Sequence, residues 1–234
     1  MKTIGIIGGM GPLAGVNMAE KIVKLTQASS DNGHIHVILD NNTQIPDRTK
    51  AILSGGEDPR PQIIASAKRL EVAGADFLVM ACHTAHYFYP DICAALSVPI
   101  LNMVETTISE VVRLGVRSAA VLSTDGTRRS RIYENPLRGA GLVTVIPSDA
   151  EQEIVTDLIY KGIKAGDSCY ETGGFVSLLY DMENRGAEVF ILACTELSVA
   201  FDRYSAALGV FNALDPVAQL ASRAVTEAGA LLRV

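Results

Sequence analysis

The chain contains the stretch Gly74-Ala-Asp-Phe-Leu-Val-Met-Ala-Cys82 and, 112 residues later, the stretch Gly186-Ala-Glu-Val-Phe-Ile-Leu-Ala-Cys194. The two align without a gap, and both are short apolar runs that end on Ala-Cys. An apolar run of this length behind a glycine is typical of a strand that is buried on both faces. The repeat therefore predicts two similar halves, each with one such strand.

Further apolar runs alternate with segments of helical periodicity along the chain, which is typical of a parallel sheet with crossover helices. We predict an α/β fold of two pseudo-symmetric three-layer domains, with mostly parallel sheets and an active site in the cleft between them. The first domain is predicted over 1–100 and the second over 101–205, with a C-terminal helix in 206–234 that packs back on the first. The predicted strands are Lys2–Gly8, His36–Asp40, Asp76–Ala81, Val98–Leu101, Ser118–Leu122, Val143–Ile146 and Glu188–Ala193.

Composition excludes several classes of function. The formal net charge is −6, so no excess of basic residues is present to neutralise nucleic-acid phosphates. No apolar run reaches the roughly 18 residues of a membrane span, and no leader precedes the first strand, so we expect a cytoplasmic protein. The four cysteines form no CxxC pair, which argues against a disulfide framework and against a zinc site.

Cys82 and Cys194 are predicted at the carboxyl ends of strands, where open α/β sheets bind their ligands. Cys93 and Cys169 are interpreted as ordinary small apolar residues. Inversion at an α-carbon without an imine cofactor requires a base on one face and an acid on the other. A thiolate and a thiol, each near a helix N-terminus that lowers the thiol pKa, meet that requirement.

Five motifs occur together along the chain: Gly8-Gly9-Met10-Gly11-Pro12, Gln44-Ile45-Pro46-Asp47-Arg48-Thr49, Ala81-Cys82-His83-Thr84-Ala85-His86, Thr124-Asp125-Gly126-Thr127 and Cys194-Thr195-Glu196-Leu197. In this order they resemble the aspartate/glutamate racemase family, specifically its aspartate racemase branch, over essentially the whole chain. The resemblance implies a racemase that uses no cofactor and no metal, acts on a small dicarboxylic amino acid with Cys82 and Cys194 as catalysts, and forms a homodimer.

The resemblance also implies two cations for the substrate carboxylates, Arg48 and Lys164. A planar Arg fork suits one carboxylate and the Lys point charge suits the other. His83 departs from the family pattern, which usually has Asn there, and this affects the expected substrate choice. Two residues, His86 and Glu196, are expected to contact the site residues without touching the substrate. The other expected substrate-binding residues are Met10, Gln44, His83, Thr84, Ala85, Thr124 and Thr195.

Alternatives remain at several positions. Gly9-Met-Gly11-Pro-Leu-Ala14 also fits a dinucleotide-binding GxGxxA, but Asp40 follows Gly11 by 29 residues, against about 20 in that motif. Lys161 stands one turn before Lys164 on the same predicted helix face. Glu196 is also a suitable first-turn residue, and Arg48 and His86 also suit ordinary surface or capping roles. Other functions left open are a hydantoin racemase, a maleate isomerase and an inactive amino-acid-binding protein, whereas the second cysteine argues against a one-cysteine decarboxylase.

Overall fold

The computed structural model describes residues 1–233 and divides into two compact units. The first unit comprises Met1–Thr106 and the segment from Val217 onward, and the second comprises Thr107–Pro216. Each unit contains one four-stranded parallel sheet with flanking helices. The predicted α/β fold with two similar parallel sheets is therefore confirmed.

The first sheet has the strand order β2-β1-β3-β4. Its central strands are in register, so that Gly5 lies opposite both Ile38 and Leu78. The strands are Ile4–Ile7 (β1), Val37–Asp40 (β2), Phe77–Met80 (β3) and Ile100–Leu101 (β4). The helices are Pro12–Leu25 (α1), Arg48–Ser54 (α2), Arg60–Val72 (α3), Tyr89–Cys93 (α4), Met103–Leu114 (α5, which continues into the second unit) and Pro216–Glu227 (α12), with 3₁₀ helices at Asp31–Gly33 and Thr84–Phe88.

The side chains of the first sheet alternate between two separate cores, as the period of two in a strand requires. Ile4 and Ile6 of β1 join a cluster with the apolar faces of α1 and α12. Leu78 and Met80 of β3 join a second cluster with the apolar face of α3. The sheet is thus covered on both faces, which gives the first unit three layers.

The second sheet has the strand order β6-β5-β7-β8, the same arrangement as the first. Its strands are Ser118–Ser123 (β5), Val143–Val145 (β6), Val189–Ala193 (β7) and Ala213–Leu214 (β8). Its helices are Asp125–Ser130 (α6), Glu134–Gly139 (α7), Asp149–Asp157 (α8), Gly173–Asn184 (α9), Thr195–Arg203 (α10) and Ser205–Leu208 (α11), with a π-helix at Leu158–Lys164 directly after α8.

Strand β8 is absent from the sequence-based prediction. The strand is only two residues long, so the sequence contains no apolar run that would predict it. Its pairing nevertheless matches that of β4, because Ala213 pairs with Phe190 as Ile100 pairs with Leu78. Residues 205–214 thus belong to the second unit, as α11 and β8, and the final helix begins only at Pro216. The pairing partners Ile100 and Ala213 lie 113 residues apart, so one residue is gained between β7 and β8 relative to the 112-residue repeat.

Candidate functional site

Cys82 lies just past the carboxyl end of β3. Its backbone N–H donates to the carbonyl of Met80 at 2.9 Å, and the 3₁₀ helix begins two residues later at Thr84. The side chain is 5% exposed and belongs to the cluster that contains Leu78 and Met80. The thiol is therefore placed by a rigid central strand and shielded by the core.

His86 fixes the backbone of Cys82. Its Nδ1 lies 2.8 Å from the carbonyl oxygen of Cys82, while its Nε2 accepts the backbone N–H of Met103 at 3.1 Å. Since Nε2 accepts, the ring proton must be on Nδ1, which donates to Cys82. Burial lowers the pKa of His86 to about 4, although its bond to Cys82 opposes the shift. His86 is thus a neutral imidazole that joins the cysteine loop to the start of α5.

The next residues, His83, Thr84 and Ala85, are all buried beside Cys82 in sequence. Burial holds the pKa of His83 well below its ordinary value, and protonation of neighbouring His86 would lower it further. His83 is therefore neutral near pH 7. This position therefore has an uncharged imidazole ring, whereas the family pattern has the neutral amide of Asn.

Arg48 ties together two loops at the carboxyl ends of β1 and β2. It stands at the start of α2, where the Asp47 side chain accepts the backbone N–H of Lys50. Its Nη1 donates to the carbonyls of Ile45 at 3.2 Å and Pro46 at 2.9 Å, and its Nη2 donates to the carbonyl of Met10 at 2.8 Å. Its guanidinium is thus held by three neutral backbone acceptors.

These contacts leave part of the Arg48 guanidinium available. An arginine has five N–H donors, so two remain, including an Nε–H that is buried and makes no hydrogen bond to the described residues. Arg48 forms no ion pair within residues 1–233. The positive charge and the two donors are consistent with the predicted carboxylate contact, although the prediction did not include the three backbone bonds.

The two loops themselves are closely packed. Gly9 has a left-handed φ of +88°, and a Cβ there would lie 2.1 Å from the carbonyl oxygen of Asn42. Met10 is buried, with its carbonyl bound by Arg48. The side chain of Gln44 is exposed, and its backbone N–H donates to Oδ1 of Asn42 at 3.0 Å.

Cys194 occupies the same place in the second unit that Cys82 occupies in the first. It follows β7 directly, stands at the position that precedes the first residue of α10, and is also 5% exposed. Strands β3 and β7 are both third in their sheet order. The duplicated sequence thus places one buried thiol at the equivalent strand end of each sheet.

Glu196 organises the surroundings of Cys194. Its Oε2 accepts the thiol of Cys194 at 3.0 Å and the hydroxyl of Thr195 at 3.0 Å, while its Oε1 pairs with Nζ of Lys164 at 2.8 Å. Burial would raise the pKa of Glu196, but the Lys164 charge and the bonds from Lys164 and Cys194 outweigh burial and lower it. Glu196 is therefore an ionised, buried carboxylate in contact with the thiol.

The state of Cys194 follows from this contact. Burial first, and then the negative charge of Glu196, raise the pKa of Cys194 well above its ordinary value, against the smaller opposing effect of Lys164. Near neutral pH Cys194 is a thiol that can donate a proton. Glu196 also lies in the first turn of α10, where an acidic residue is favoured for the helix alone, so its contact with the thiol could not be read from its position in the sequence.

Lys164 reaches this site, and its neighbour Lys161 does not. Lys161 pairs with Asp157 at 2.8 Å on the surface, whereas Lys164 lies at the end of the π-helix with Nζ on Glu196 and 5.6 Å from the centre of the Tyr160 ring. The cation that was predicted for a substrate carboxylate is therefore bound to a carboxylate of the chain itself.

Thr124 caps α6 at the carboxyl end of β5. Its side chain accepts the backbone N–H of Thr127 at 3.3 Å, and both threonines are buried. The neighbouring carbonyl of Ser123 accepts Nε2 of Gln152 at 2.9 Å. Sequence reasoning missed Gln152, because a single glutamine within an amphipathic helix carries no signal of its own.

No helix within residues 1–233 is both long enough and apolar enough to cross a bilayer. Among the same residues, no group of three or more His, Cys, Asp or Glu side chains is arranged to hold a metal ion.

Comparisons with known proteins found similar sequences and similar structures. Residues 7–224 match the sequence profile of a family described as Asp/Glu/Hydantoin racemase. The broad specificity amino-acid racemase RacX of Bacillus subtilis is 33% identical over 222 residues, which cover 89% of this chain and 92% of that protein. The structure of Picrophilus torridus aspartate racemase has 33% identity and a TM-score of 0.89, over 100% of this chain and 96% of that one. A glutamate racemase isoform of Bacillus anthracis, 19% identical, matches in fold with a TM-score of 0.71, over 97% of this chain and 81% of that one.

Proposed function

Since the chain belongs to the Asp/Glu/hydantoin racemase family, we propose that it is a cofactor-independent amino-acid racemase whose preferred substrate is aspartate. The observation that supports this most strongly is the pair of buried thiols, Cys82 and Cys194, at equivalent strand ends of two equivalent sheets. Two matched thiols supply the base and the acid that inversion requires. A homodimer in the cytoplasm stays a prediction.

In the proposed reaction the thiolate of Cys82 removes the α-proton from one face of the substrate. The electron pair left on the α-carbon is delocalised into the α-carboxylate, and the thiol of Cys194 delivers a proton to the opposite face. The product leaves Cys82 as thiol and Cys194 as thiolate. The reverse direction exchanges the two roles.

Glu196 gives the two cysteines different starting states in this scheme. Its carboxylate lies 3.0 Å from Sγ of Cys194 and favours the protonated thiol, as the raised pKa of Cys194 reflects. We propose that Cys194 is the proton donor in the resting enzyme. Lys164, paired with Glu196, opposes this effect and keeps the Cys194 thiolate accessible as the reaction product.

Arg48 is proposed to bind one substrate carboxylate with the two donors that its backbone bonds leave over. Its bonds to the carbonyls of Met10 and Pro46 hold the guanidinium plane in place before substrate arrives. Such preorganisation reduces the conformational entropy that binding would otherwise cost. Lys164 is proposed to share its charge between Glu196 and the second carboxylate.

A second candidate is a racemase of broad specificity. The Lys164–Glu196 ion pair favours it, because a cation already neutralised by the chain imposes less demand for an acidic substrate. The relative RacX is named a broad specificity racemase. Neutral His83 in place of the usual Asn also alters the predicted substrate-binding set.

Initial rates with L-aspartate, L-glutamate, L-asparagine and L-alanine in deuterated water test both candidates. The proposal predicts α-deuterium incorporation together with loss of optical rotation, fastest for aspartate. Similar rates for all four amino acids would support broad specificity instead. Tight binding without any exchange at the α-carbon would identify a binding protein and contradict both.

A further inference from the structure

The second unit contains a π-helix where α8 would otherwise continue. Helix α8 runs directly into this π-helix, which covers Leu158–Lys164. The backbone N–H of Ala165 donates to the carbonyl of Tyr160 at 3.1 Å, a bond that spans five residues instead of the four of an α-helix. Such wide turns are rare, interrupt α-helices and are frequent at functional sites. This one ends at Lys164, whose Nζ lies 2.8 Å from Oε1 of Glu196.

The wide turn separates two lysines that α-helical spacing would place together. In an α-helix, residues three apart lie on the same face. A wider turn advances each residue by a smaller angle around the axis, so three residues do not bring Lys164 back to the face of Lys161. Lys161 pairs with Asp157 and has a side chain that is 72% exposed, whereas the side chain of Lys164 is 31% exposed. The π-helix therefore accounts for the direction in which Lys164 points.

The ring of Tyr170 packs directly on this wide turn. It lies against Gly162, where a Cβ would be only 3.0 Å from Cγ of Tyr170 and 3.3 Å from Cδ1 of Leu158. Gly162 is buried and its φ is not left-handed, so glycine is required there for space and not for backbone conformation. Glycine weakens a helix relative to alanine, and the close approach of the ring is the feature that requires it. Tyr170 also packs against the core cluster that contains Cys194.

Tyr170 belongs to a loop that joins the π-helix to α10. In this loop the backbone N–H of Asp167 donates to the carbonyl of Gly162 at 3.0 Å. The carbonyl of Asp167 accepts the hydroxyl of Tyr204, which follows α10, at 3.3 Å. Helix α10 carries Glu196 in its first turn. The loop thus fixes Tyr170 with respect to both the helix that carries Lys164 and the helix that carries its carboxylate partner.

We propose that Tyr170 is a positioning residue for Lys164. Its ring holds the turn wide at Gly162, and this width keeps Lys164 on Glu196. Without the ring, the turn loses the contact that covers Gly162 and relaxes towards α-helical spacing, which moves Lys164 away from Glu196. The carboxylate then acts on the Cys194 thiol without its counter-charge. The inference deepens the proposed function and rests on it, since this ion pair and this thiol belong to the proposed site.

The pH dependence of alkylation of Cys194 by iodoacetamide tests the proposal, in a background in which the other three cysteines are serine. Burial and Glu196 raise the pKa of Cys194, and Lys164 lowers it. Tyr170→Ala should therefore move the midpoint of the curve to higher pH by about one unit, the lower end of the effect of a nearby opposite charge. Tyr170→Phe keeps the ring and should leave the midpoint unchanged.

Further variants separate positioning from a general loosening of the core. Lys164→Met alone should raise the midpoint at least as far as Tyr170→Ala does, and Tyr170→Ala should add nothing in the Lys164→Met background. Tyr180→Ala removes a ring that packs on Phe211 of the same core cluster, and it should leave the midpoint unchanged. Gly162→Ala disturbs the same contact from the other side and should raise the midpoint as well.

The proposal is overturned if Tyr170→Ala leaves the midpoint unchanged or lowers it, or if the shift is equally large in the Lys164→Met background. Alkylation requires no turnover, so this result is independent of racemisation. A protein that shows the expected shift but incorporates no α-deuterium would support the positioning of Lys164 and contradict only the proposed function.

Discussion

Replacing Glu196 by Gln is expected to lower the pKa of Cys194. The carboxylate oxygen lies 3.0 Å from the thiol sulfur, and both groups are buried. In the present structure a thiolate at Cys194 would face a negative charge at contact distance. Glu196→Gln removes that charge with almost no change of shape, and it also frees Lys164 to stabilise the thiolate.

The magnitude follows from the distance. Two unit charges at this separation repel by about 1 kcal/mol if screened as in water and by about 5 kcal/mol at an effective dielectric constant of about 20. One pKa unit corresponds to about 1.4 kcal/mol, so the pKa of Cys194 is expected to fall by about one to four units. Loss of the hydrogen bond that the thiol donates acts in the same direction.

The assay is the pH dependence of alkylation of Cys194 alone. Cys82, Cys93 and Cys169 are replaced by serine, and the rate of reaction with iodoacetamide is followed from acidic to alkaline pH. The midpoint of the curve should move to lower pH in Glu196→Gln, stay close to its original value in Glu196→Asp, and be unaffected in Glu183→Gln. An unchanged or higher midpoint in Glu196→Gln would show that the carboxylate does not control the thiol.

Three other predictions follow from the first unit. Arg48→Ala should lower kcat/KM for aspartate by about ten- to a hundredfold and for alanine by less, since it removes a charge-assisted carboxylate contact; a thermal melt checks that the loops stay folded. His86 has a lower pKa in the folded chain than in the unfolded one, so in the unsubstituted protein it should contribute up to about 3 kcal/mol to the free energy of unfolding above pH 6.5. This contribution is lost as the pH falls towards 4. Denaturant titrations should show that the free energy of unfolding depends less on pH in His86→Gln. Gly9→Ala should cost about 2 kcal/mol or more in the same titrations because its Cβ would meet the backbone of Asn42, whereas Gly139→Ala, with open space around it, should be neutral or stabilising.

The fold could be predicted from the sequence because its strands are continuous apolar runs and because the chain contains an internal repeat. The stretches that end at Cys82 and Cys194 became β3 and β7, each in the same place in its sheet. Strand β8 was missed, since a two-residue edge strand depends on its neighbour and not on its own pattern. The roles of the two cysteines stay predictions, but their equivalent positions are structural facts.

The hydrogen-bond and ion-pair partners of the charged residues could not be predicted from the sequence in this way. The sequence pointed to Arg48 and Lys164 as cations, yet not to the three backbone carbonyls on Arg48 or to Glu196 on Lys164. Hydrogen-bond partners far apart in sequence depend on loop conformation, for which periodicity gives no information. Gln152 is a similar case, because its contact with Ser123 joins α8 to the end of β5.

The central claim is that Cys82 and Cys194 act as two bases on opposite faces of one α-carbon. It is tested most directly by incubating Cys82→Ala and Cys194→Ala separately with L- and with D-aspartate in deuterated water, and by measuring both racemisation and α-deuterium. The account predicts that neither variant racemises, and that any residual exchange occurs from one enantiomer only, the opposite one in the two variants. Racemisation above about 1% of the unsubstituted rate in either variant would contradict it.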